Sequence, residues 1–327
     1  MKTKLFLLFF FLCGAFTFAE KGYDVTFDKY NDTYQLQFMV EEITVSAVEI
    51  DGRTWSVIDF PGRVVTNKAG FAELPFIHAS VMLEKDNNVK LSIEGTDYVE
   101  YELEYPLLPS RGVIYRDQDP SEIPYVVDPK SITNTWYPGE MASNTDPYIL
   151  RDIRGTNVYV YPFQYNAQRN ILRVYSQVNV LLENENSSPV NPLEMETNKI
   201  VYEMDAIYSS VFINYSQNRD DLTIGEMGDI LVVTTDRDET AMDPYIQWKR
   251  EKGYNVDVEV VAAGTNVNSI VQSAYDANND LLYVQLVGDG ADIKCKTLGG
   301  GAPMDPQIGC VAGGDEGPDI AIGRFYA

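Results

Sequence analysis

Two acidic segments near the end of the chain have the residue types of a cation site. Asp289 follows an apolar run, and Asp315, Glu316 and Asp319 lie in a segment rich in glycine. Calcium takes about six to eight oxygens from carboxylates and carbonyls, and glycines let a backbone turn tightly enough to point its carbonyls at an ion. The residues therefore predict a calcium site. A solvated acidic turn is the alternative that spacing alone leaves open.

Strands and helices alternate in the region that would hold these acids. Asp243 with Pro244 is a typical helix start, and Gly253 is a typical stop. The alternation predicts a parallel sheet with right-handed crossovers. Asp289 then lies at the carboxyl edge of the sheet, where open parallel sheets bind ligands. The predicted strands are 229–235, 256–261, 281–287 and 319–327, and the predicted helices are 243–252 and 266–278.

The preceding region, from about residue 20 to 215, has the pattern of an all-β domain. Its apolar runs are short, alternate in polarity and are bounded by turn residues, which is typical of an antiparallel sandwich or a barrel-like stack. Residues 105–146 are predicted to be a long loop, and residues 206–213 a short helix. The predicted strands are 34–40, 45–50, 55–60, 89–93, 99–103, 158–163 and 172–182.

Composition limits the function classes. The chain has 49 acidic and 25 basic residues and a net charge of −24, which excludes a nucleic-acid partner because a phosphate backbone requires a basic surface. His78 is the one histidine, so a site with several histidine ligands is excluded, as is a histidine-based dyad outside the first domain. Cys295 and Cys310 could form a disulfide or remain two buried thiols.

The N-terminus has the features of a signal peptide. Two lysines precede the apolar run 5–13, and small residues follow it. The pattern predicts cleavage between Ala19 and Glu20 and a secreted or cell-surface protein. The apolar run is too short to cross a bilayer, and no other stretch predicts a transmembrane segment.

Three segments of the last hundred residues resemble the start of the catalytic domain of the gingipains, cysteine peptidases of family C25. Their sequences are YIQWKREKG at 245–253, VQLVGDGADI at 284–293 and GDEGPDIAIGRF at 314–325. The resemblance covers residues 225–327, and the preceding β-rich region is similar to the gingipain propeptide in order and length. It implies a caspase-like α/β fold, here incomplete. The expected division is a signal peptide at 1–19, a propeptide-like domain at 20–219 and a truncated peptidase domain at 220–327.

The resemblance also implies a structural calcium ion and its ligands. The implied ligands are the side chains of Asp289, Asp315 and Asp319 and the backbone carbonyls of Ala312 and Gly317.

The same resemblance places the catalytic His and Cys beyond residue 327. In the family a thiolate attacks the scissile carbonyl while backbone N–H groups hold the oxyanion. Neither Cys295 nor Cys310 matches the nucleophile position, so the chain as given is expected to be inactive.

Gingipain propeptides place a basic residue in the specificity pocket, but the corresponding segment here, 131–140, contains no Arg or Lys. Arg or Lys specificity is therefore open, as is the residue that fills the pocket. Trp136 and Tyr137 could fill an apolar groove or simply pack on the sheet. Arg219 and Asp220 flank a candidate maturation cleavage in the predicted linker.

Two functions from different classes follow. The first is the precursor of a secreted, gingipain-like cysteine endopeptidase whose prodomain contacts the catalytic domain in cis and acts as inhibitor and folding chaperone, with proteins and peptides as substrates. The alternative is a secreted, non-catalytic β domain that binds a partner and carries a vestigial α/β half. A nucleotide-binding or receiver domain is disfavoured because no glycine-rich phosphate loop follows the strand at 229–235.

Overall fold

The computed structural model describes residues 22–41, 43–60, 64–194, 199–216, 223–297 and 304–327. The predicted signal peptide with its cleavage between Ala19 and Glu20, and the candidate maturation site at Arg219 and Asp220, lie outside these residues. No helix within the described part of the chain is long and apolar enough to cross a membrane.

Residues 22–194 form a β domain of two antiparallel sheets and a hairpin. In the first sheet the order is β1-β2-β12-β11, with β7 also paired to β12, and in the second it is β5-β6-β10-β8, with β9 also paired to β10. The remaining strands, β3 and β4, pair with each other. The strands are β1 Tyr23–Tyr30, β2 Thr33–Val40, β3 Thr44–Ile50, β4 Arg53–Asp59, β5 Val64–Val65, β6 Pro75–Met82, β7 Asn88–Glu102, β8 Ala142–Asn144, β9 Tyr148–Leu150, β10 Ile153–Val160, β11 Phe163–Asn166 and β12 Ile171–Glu185.

The core of the β domain lies between these sheets. Along β12, Val178, Val180 and Leu182 are fully buried while the residues between them are less so, because successive side chains of a strand point to opposite faces. Phe38 from β2 and Val158 from β10 belong to the same buried cluster. The alternation read from the sequence therefore corresponds to one apolar and one polar face on each sheet.

A bridging segment, residues 199–216, leads from the β domain towards the rest of the chain. It holds β13 (Lys199–Ile200) and helix α1 (Tyr202–Val211). From α1, Met204 and Tyr208 are buried in a cluster that also contains Ile153 of the β domain and Leu282 of the next region. The helix thus packs against both folded regions.

Residues 223–327 form an α/β lobe with a parallel sheet in the order β16-β15-β18-β20. The strand β15 is buried almost throughout, as expected for a strand covered on both faces. The elements are β14 Thr223–Ile224, β15 Asp229–Thr235, α2 Asp243–Glu251, β16 Val256–Val261, β17 Thr265–Asn266, α3 Asn268–Ala277, β18 Leu281–Val287, β19 Ile293–Lys294 and β20 Ala321–Phe325.

The predicted fold class is confirmed, and several element boundaries are corrected. The predicted strands 89–93 and 99–103 are one strand, β7, and the predicted strand 158–163 is divided between β10 and β11. In the β domain, strands β1, β5, β6, β8 and β9 were not predicted, and β8 lies within the predicted loop 105–146. Helix α1 begins at Tyr202 instead of residue 206.

The start of helix α2 also differs from its prediction. Its N-cap is Met242, because a 3₁₀ turn at Glu239–Met242 leads directly into the helix and leaves Asp243 inside the first turn. Gly253 does end the helix, with a φ of +97° that few other residues tolerate.

Candidate functional site

Asp319 lies two residues before the start of β20 and is almost completely buried. Its Oδ2 accepts hydrogen bonds from the backbone N–H groups of Val311 (2.9 Å) and Ala312 (2.7 Å), and its Oδ1 accepts one from Arg151 N–H (2.8 Å). Burial raises the pKa of Asp319, while these three backbone N–H groups oppose the shift. Both oxygens of the carboxylate are therefore engaged by protein donors.

Asp315 makes a similar set of bonds. Its Oδ2 accepts from Ile149 N–H (2.7 Å) and from Asn191 Nδ2 (2.6 Å), and its Oδ1 accepts from Gly317 N–H (2.8 Å). Asn191 Oδ1 accepts in turn from Gly314 N–H (2.7 Å). Because Ile149 and Asn191 belong to the β domain, the predicted calcium segment of the α/β lobe contacts the β domain directly.

Asp289 lies elsewhere. It is exposed just beyond β18, and its Oδ1 accepts from the N–H groups of Ala291 (2.6 Å) and Asp292 (3.0 Å), which lower its pKa. In the pairing of β18 with β20, Tyr283 lies opposite Ala321 and Val287 opposite Phe325.

The parallel register places Asp289 and Asp319 at opposite ends of the sheet. Asp319 comes before the start of β20, whereas Asp289 comes after the end of β18. The paired stretch alone is about 13 Å long at roughly 3.3 Å per residue.

The five predicted ligands are therefore not gathered at one point. Asp315, Asp319, Ala312 and Gly317 share one loop, and Asp289 is remote from them. Among the described residues, no group of three or more His, Cys, Asp and Glu is placed to hold a metal ion. The donor set as arranged here does not fit a single calcium ion, and calcium binding stays a prediction.

Arg151 is the residue at this contact that the sequence did not indicate. It lies in the turn between β9 and β10, and its side chain is fully buried although it carries a permanent charge. Its guanidinium donates from Nη1 to Leu281 O (2.6 Å) and from Nη2 to Asn279 O, both in the α/β lobe. Nothing in the local sequence distinguishes Arg151 from an ordinary turn residue, because its partners are more than a hundred residues away.

The segment 131–140 packs on the β domain. The guanidinium of Arg173 lies 3.8 Å from the ring centroid of Trp136, and the ring centroid of Tyr137 lies 5.0 Å from that of Phe71. Within the described residues, both aromatic side chains therefore contact their own domain.

Comparison with known proteins gives the family of both regions. A model of the C25 propeptide matches residues 25–222, and a model of peptidase family C25 matches residues 224–327. The chain belongs to peptidase family C25, the gingipain family.

Gingipain R2 of Porphyromonas gingivalis is 30% identical over 299 residues, and the match covers 89% of this chain and 40% of that protein. Lys-gingipain of the same organism is 20% identical over 278 residues, with 78% and 16% covered. This chain thus spans less than half the length of these gingipains.

A solved complex of the pro- and mature domains of RgpB from P. gingivalis shares the fold. Its matched chain has a TM-score of 0.53 and 27% identity, and the match covers 61% of this chain and 98% of that one. The β domain is therefore a gingipain propeptide, and the α/β lobe is the beginning of a C25 peptidase domain.

The cysteines and the histidine of this gingipain segment do not form a catalytic pair. His78 is exposed on β6, with its ring beside that of Tyr159. Cys295 and Cys310 are free thiols, and burial raises the pKa of each. A raised pKa disfavours the thiolate that a nucleophilic cysteine needs.

Proposed function

We propose that this chain is the front part of a secreted precursor of a gingipain-like cysteine endopeptidase, in which the β domain acts as inhibitor and folding chaperone of the peptidase domain. One observation carries the chaperone role. Ile149 of the β domain is 2% exposed and belongs to the hydrophobic cluster of the α/β lobe, beside Val233 and Leu286. A lobe that uses a side chain of its propeptide to complete its core should fold best while that propeptide is attached.

The reaction would use residues that these 327 positions do not supply. Peptide cleavage by this class needs a thiolate next to a histidine. The single histidine lies in the β domain, and neither Cys295 nor Cys310 has a nearby histidine or a lowered pKa. Residues 1–327 should therefore not cleave peptides by themselves, and the substrates would be extracellular proteins cleaved by the longer protein.

An activity measurement tests this function. A protein that continues this chain in frame to the length of the gingipains it resembles is expressed. Its cleavage of peptide reporters is then measured with and without a thiol-alkylating reagent. We expect alkylation-sensitive cleavage from the extended protein and none from residues 20–327. An extended protein that never cleaves, but whose β domain binds a partner, would favour the non-catalytic alternative.

Secretion and maturation have a direct test. Mass spectrometry of the exported protein should find Glu20 as the first residue, and mass spectrometry of the matured protein should find Asp220. If the exported and matured proteins begin at other residues, the two cleavage sites and the domain boundaries at 19 and 219 are rejected.

The calcium proposal is tested by thermal unfolding. Calcium that binds the folded state should raise the melting temperature with concentration. Asp289→Asn is the informative variant because it leaves the contacts of Asp315 with the β domain intact. An unchanged melting temperature in the parent protein rejects the site, and an equal rise in parent and variant excludes Asp289 as a ligand.

A further inference from the structure

Strand β9 and the turn that follows it present two backbone donors to the α/β lobe. Ile149 lies in β9, and Arg151 lies just after the strand with a φ of +54°. They donate to Asp315 Oδ2 at 2.7 Å and to Asp319 Oδ1 at 2.8 Å. Two carboxylates thus accept the hydrogen bonds that the carbonyls of a neighbouring strand would otherwise accept. Bonds to charged acceptors are about twice as strong as those to neutral ones.

The side chain of Arg151 makes the contact specific for arginine at this position. Its guanidinium lies against the carbonyls of Asn279 and Leu281 at the amino-terminal edge of β18 and is 5.6 Å from the ring centroid of Tyr275. Carbonyl oxygens accept from the fixed fork of N–H donors that arginine presents, and the ring face attracts its charge. A lysine could not donate in both directions from one planar group.

The positive charge of Arg151 compensates buried carboxylates beside it. The carboxylates of Asp152 and Asp319 lie next to it: Asp152 Oδ2 is 3.4 Å from Arg151 Nε, and Asp319 Oδ1 accepts from the backbone N–H of Arg151 at 2.8 Å. Removal of the Arg151 guanidinium would leave the buried carboxylates of Asp152 and Asp319 without this neighbouring charge, which is costly.

Gly313 allows the close approach of the two regions. Its φ is +68°, and a Cβ built there would lie 2.6 Å from Ile149 Cδ1 and 2.7 Å from Asn191 Oδ1. A side chain at this position would therefore have to displace the side-chain ends of Ile149 and Asn191 from the loop that holds Asp315.

We propose that the α/β lobe carries a binding site for a strand that is followed by an arginine in a turn, formed by the carboxylates of Asp315 and Asp319, the carbonyls of Asn279 and Leu281, and the space above Gly313. In this chain the occupant is the segment 149–151 of the β domain. The site holds the β domain on the lobe after the chain between them is cut. The inference rests on the proposed role of the β domain as a propeptide, but it does not depend on peptidase activity.

The test separates the two regions without unfolding either. A recognition sequence for a specific protease replaces residues 217–222 in residues 20–327, the folded protein is cut, and the fragments are analysed by gel filtration over a dilution series. We expect the parent fragments to elute together and the Arg151→Ala fragments to separate. The dissociation constant of the variant fragments should be at least about 30-fold higher, because one partner of a buried charged contact is removed. Arg151→Lys should weaken binding as well. Arg173→Ala is the matched control, because Arg173 contacts Glu100 and Trp136 within the β domain and should leave binding unchanged.

Two results would overturn the proposal. One is a dissociation constant of the Arg151→Ala fragments equal to that of the parent fragments over the same dilution series. The other is fast hydrogen exchange of the Ile149 and Arg151 amides in the cut parent complex, a measurement that stands even if the variant does not fold. Fragments that remain bound while the extended protein never cleaves peptides would reject the proposed function and leave this binding site intact.

Discussion

The β domain and the α/β lobe differ in how their cores are completed. The main cluster of the β domain takes its buried residues from that domain alone, from Phe27 to Leu182. The cluster of the lobe includes Ile149, and Leu193 packs against it, although both residues belong to the β domain. A region that buries its own apolar surface can fold independently, whereas a region that needs a foreign side chain depends on its neighbour. The difference predicts a hierarchy in which the lobe depends on the β domain and not the reverse.

A matched pair of leucines tests this hierarchy with the largest expected effect. Leu172 of the β domain and Leu286 of the lobe are both fully buried. Replacement of each by alanine should cost about 2–5 kcal/mol in the free energy of unfolding. Hydrogen exchange should show that Leu172→Ala exposes both regions while Leu286→Ala exposes the lobe only. Loss of protection in the β domain of Leu286→Ala would contradict the hierarchy.

Ile149→Ala tests the comparison further, because Ile149 belongs to a strand of the β domain while its side chain belongs to the buried cluster of the lobe. We expect a loss of about 2–3 kcal/mol, the low end for such a change since the turn can partly close the cavity. The loss should appear in the exchange of β15 and β18. Ile58→Ala is the control: Ile58 is also 2% exposed but lies in the β-domain cluster, so its loss should appear there. The same pattern of hydrogen exchange in Ile149→Ala and Ile58→Ala would show that the two regions do not differ in this way.

Gly313→Ala should have a smaller effect on the lobe itself. A left-handed backbone costs a residue with a Cβ roughly 1–2 kcal/mol, and the new Cβ would also meet Ile149 and Asn191. We expect a lower melting temperature and weaker binding of the cut β domain. Gly52→Ala is the control, since Gly52 has a φ of +73° with open space around it and should show the backbone cost alone.

The smallest expected effect is a pH dependence confined to the lobe. Arg324 holds the pKa of Asp305 below its ordinary value, through bonds of 2.7 and 2.8 Å. The ion pair therefore contributes fully above the unfolded pKa of about 4, and the contribution is lost as the pH falls through the lower folded value. Urea unfolding between pH 5 and pH 3 should show this loss in the parent protein. The slope should be shallower in Asp305→Asn, and an identical slope would exclude this pair as its source.

Local patterns in the sequence were sufficient for most of the architecture. The apolar runs 229–235 and 281–287 correspond to β15 and β18, because a parallel strand covered on both faces must be apolar throughout. In the β domain the alternation along 172–182 identified β12 for a similar local reason. The division into β10 and β11 was missed because the polarity pattern is continuous there, although Pro162 between the two strands is a signal for a break.

The site depended on information that no local pattern contains. Grouping Asp289 with Asp319 followed from their charge, but β20 runs parallel to β18, so a residue before one strand and a residue after the other lie at opposite ends of the sheet. The charge of Arg151 is buried only because Asn279 and Leu281, distant in the sequence, turn their carbonyls towards it. Residue types and periodicity determined which elements form and which family they resemble. The packing of one region on the other decided what the acidic loop contacts, because that contact joins segments more than a hundred residues apart.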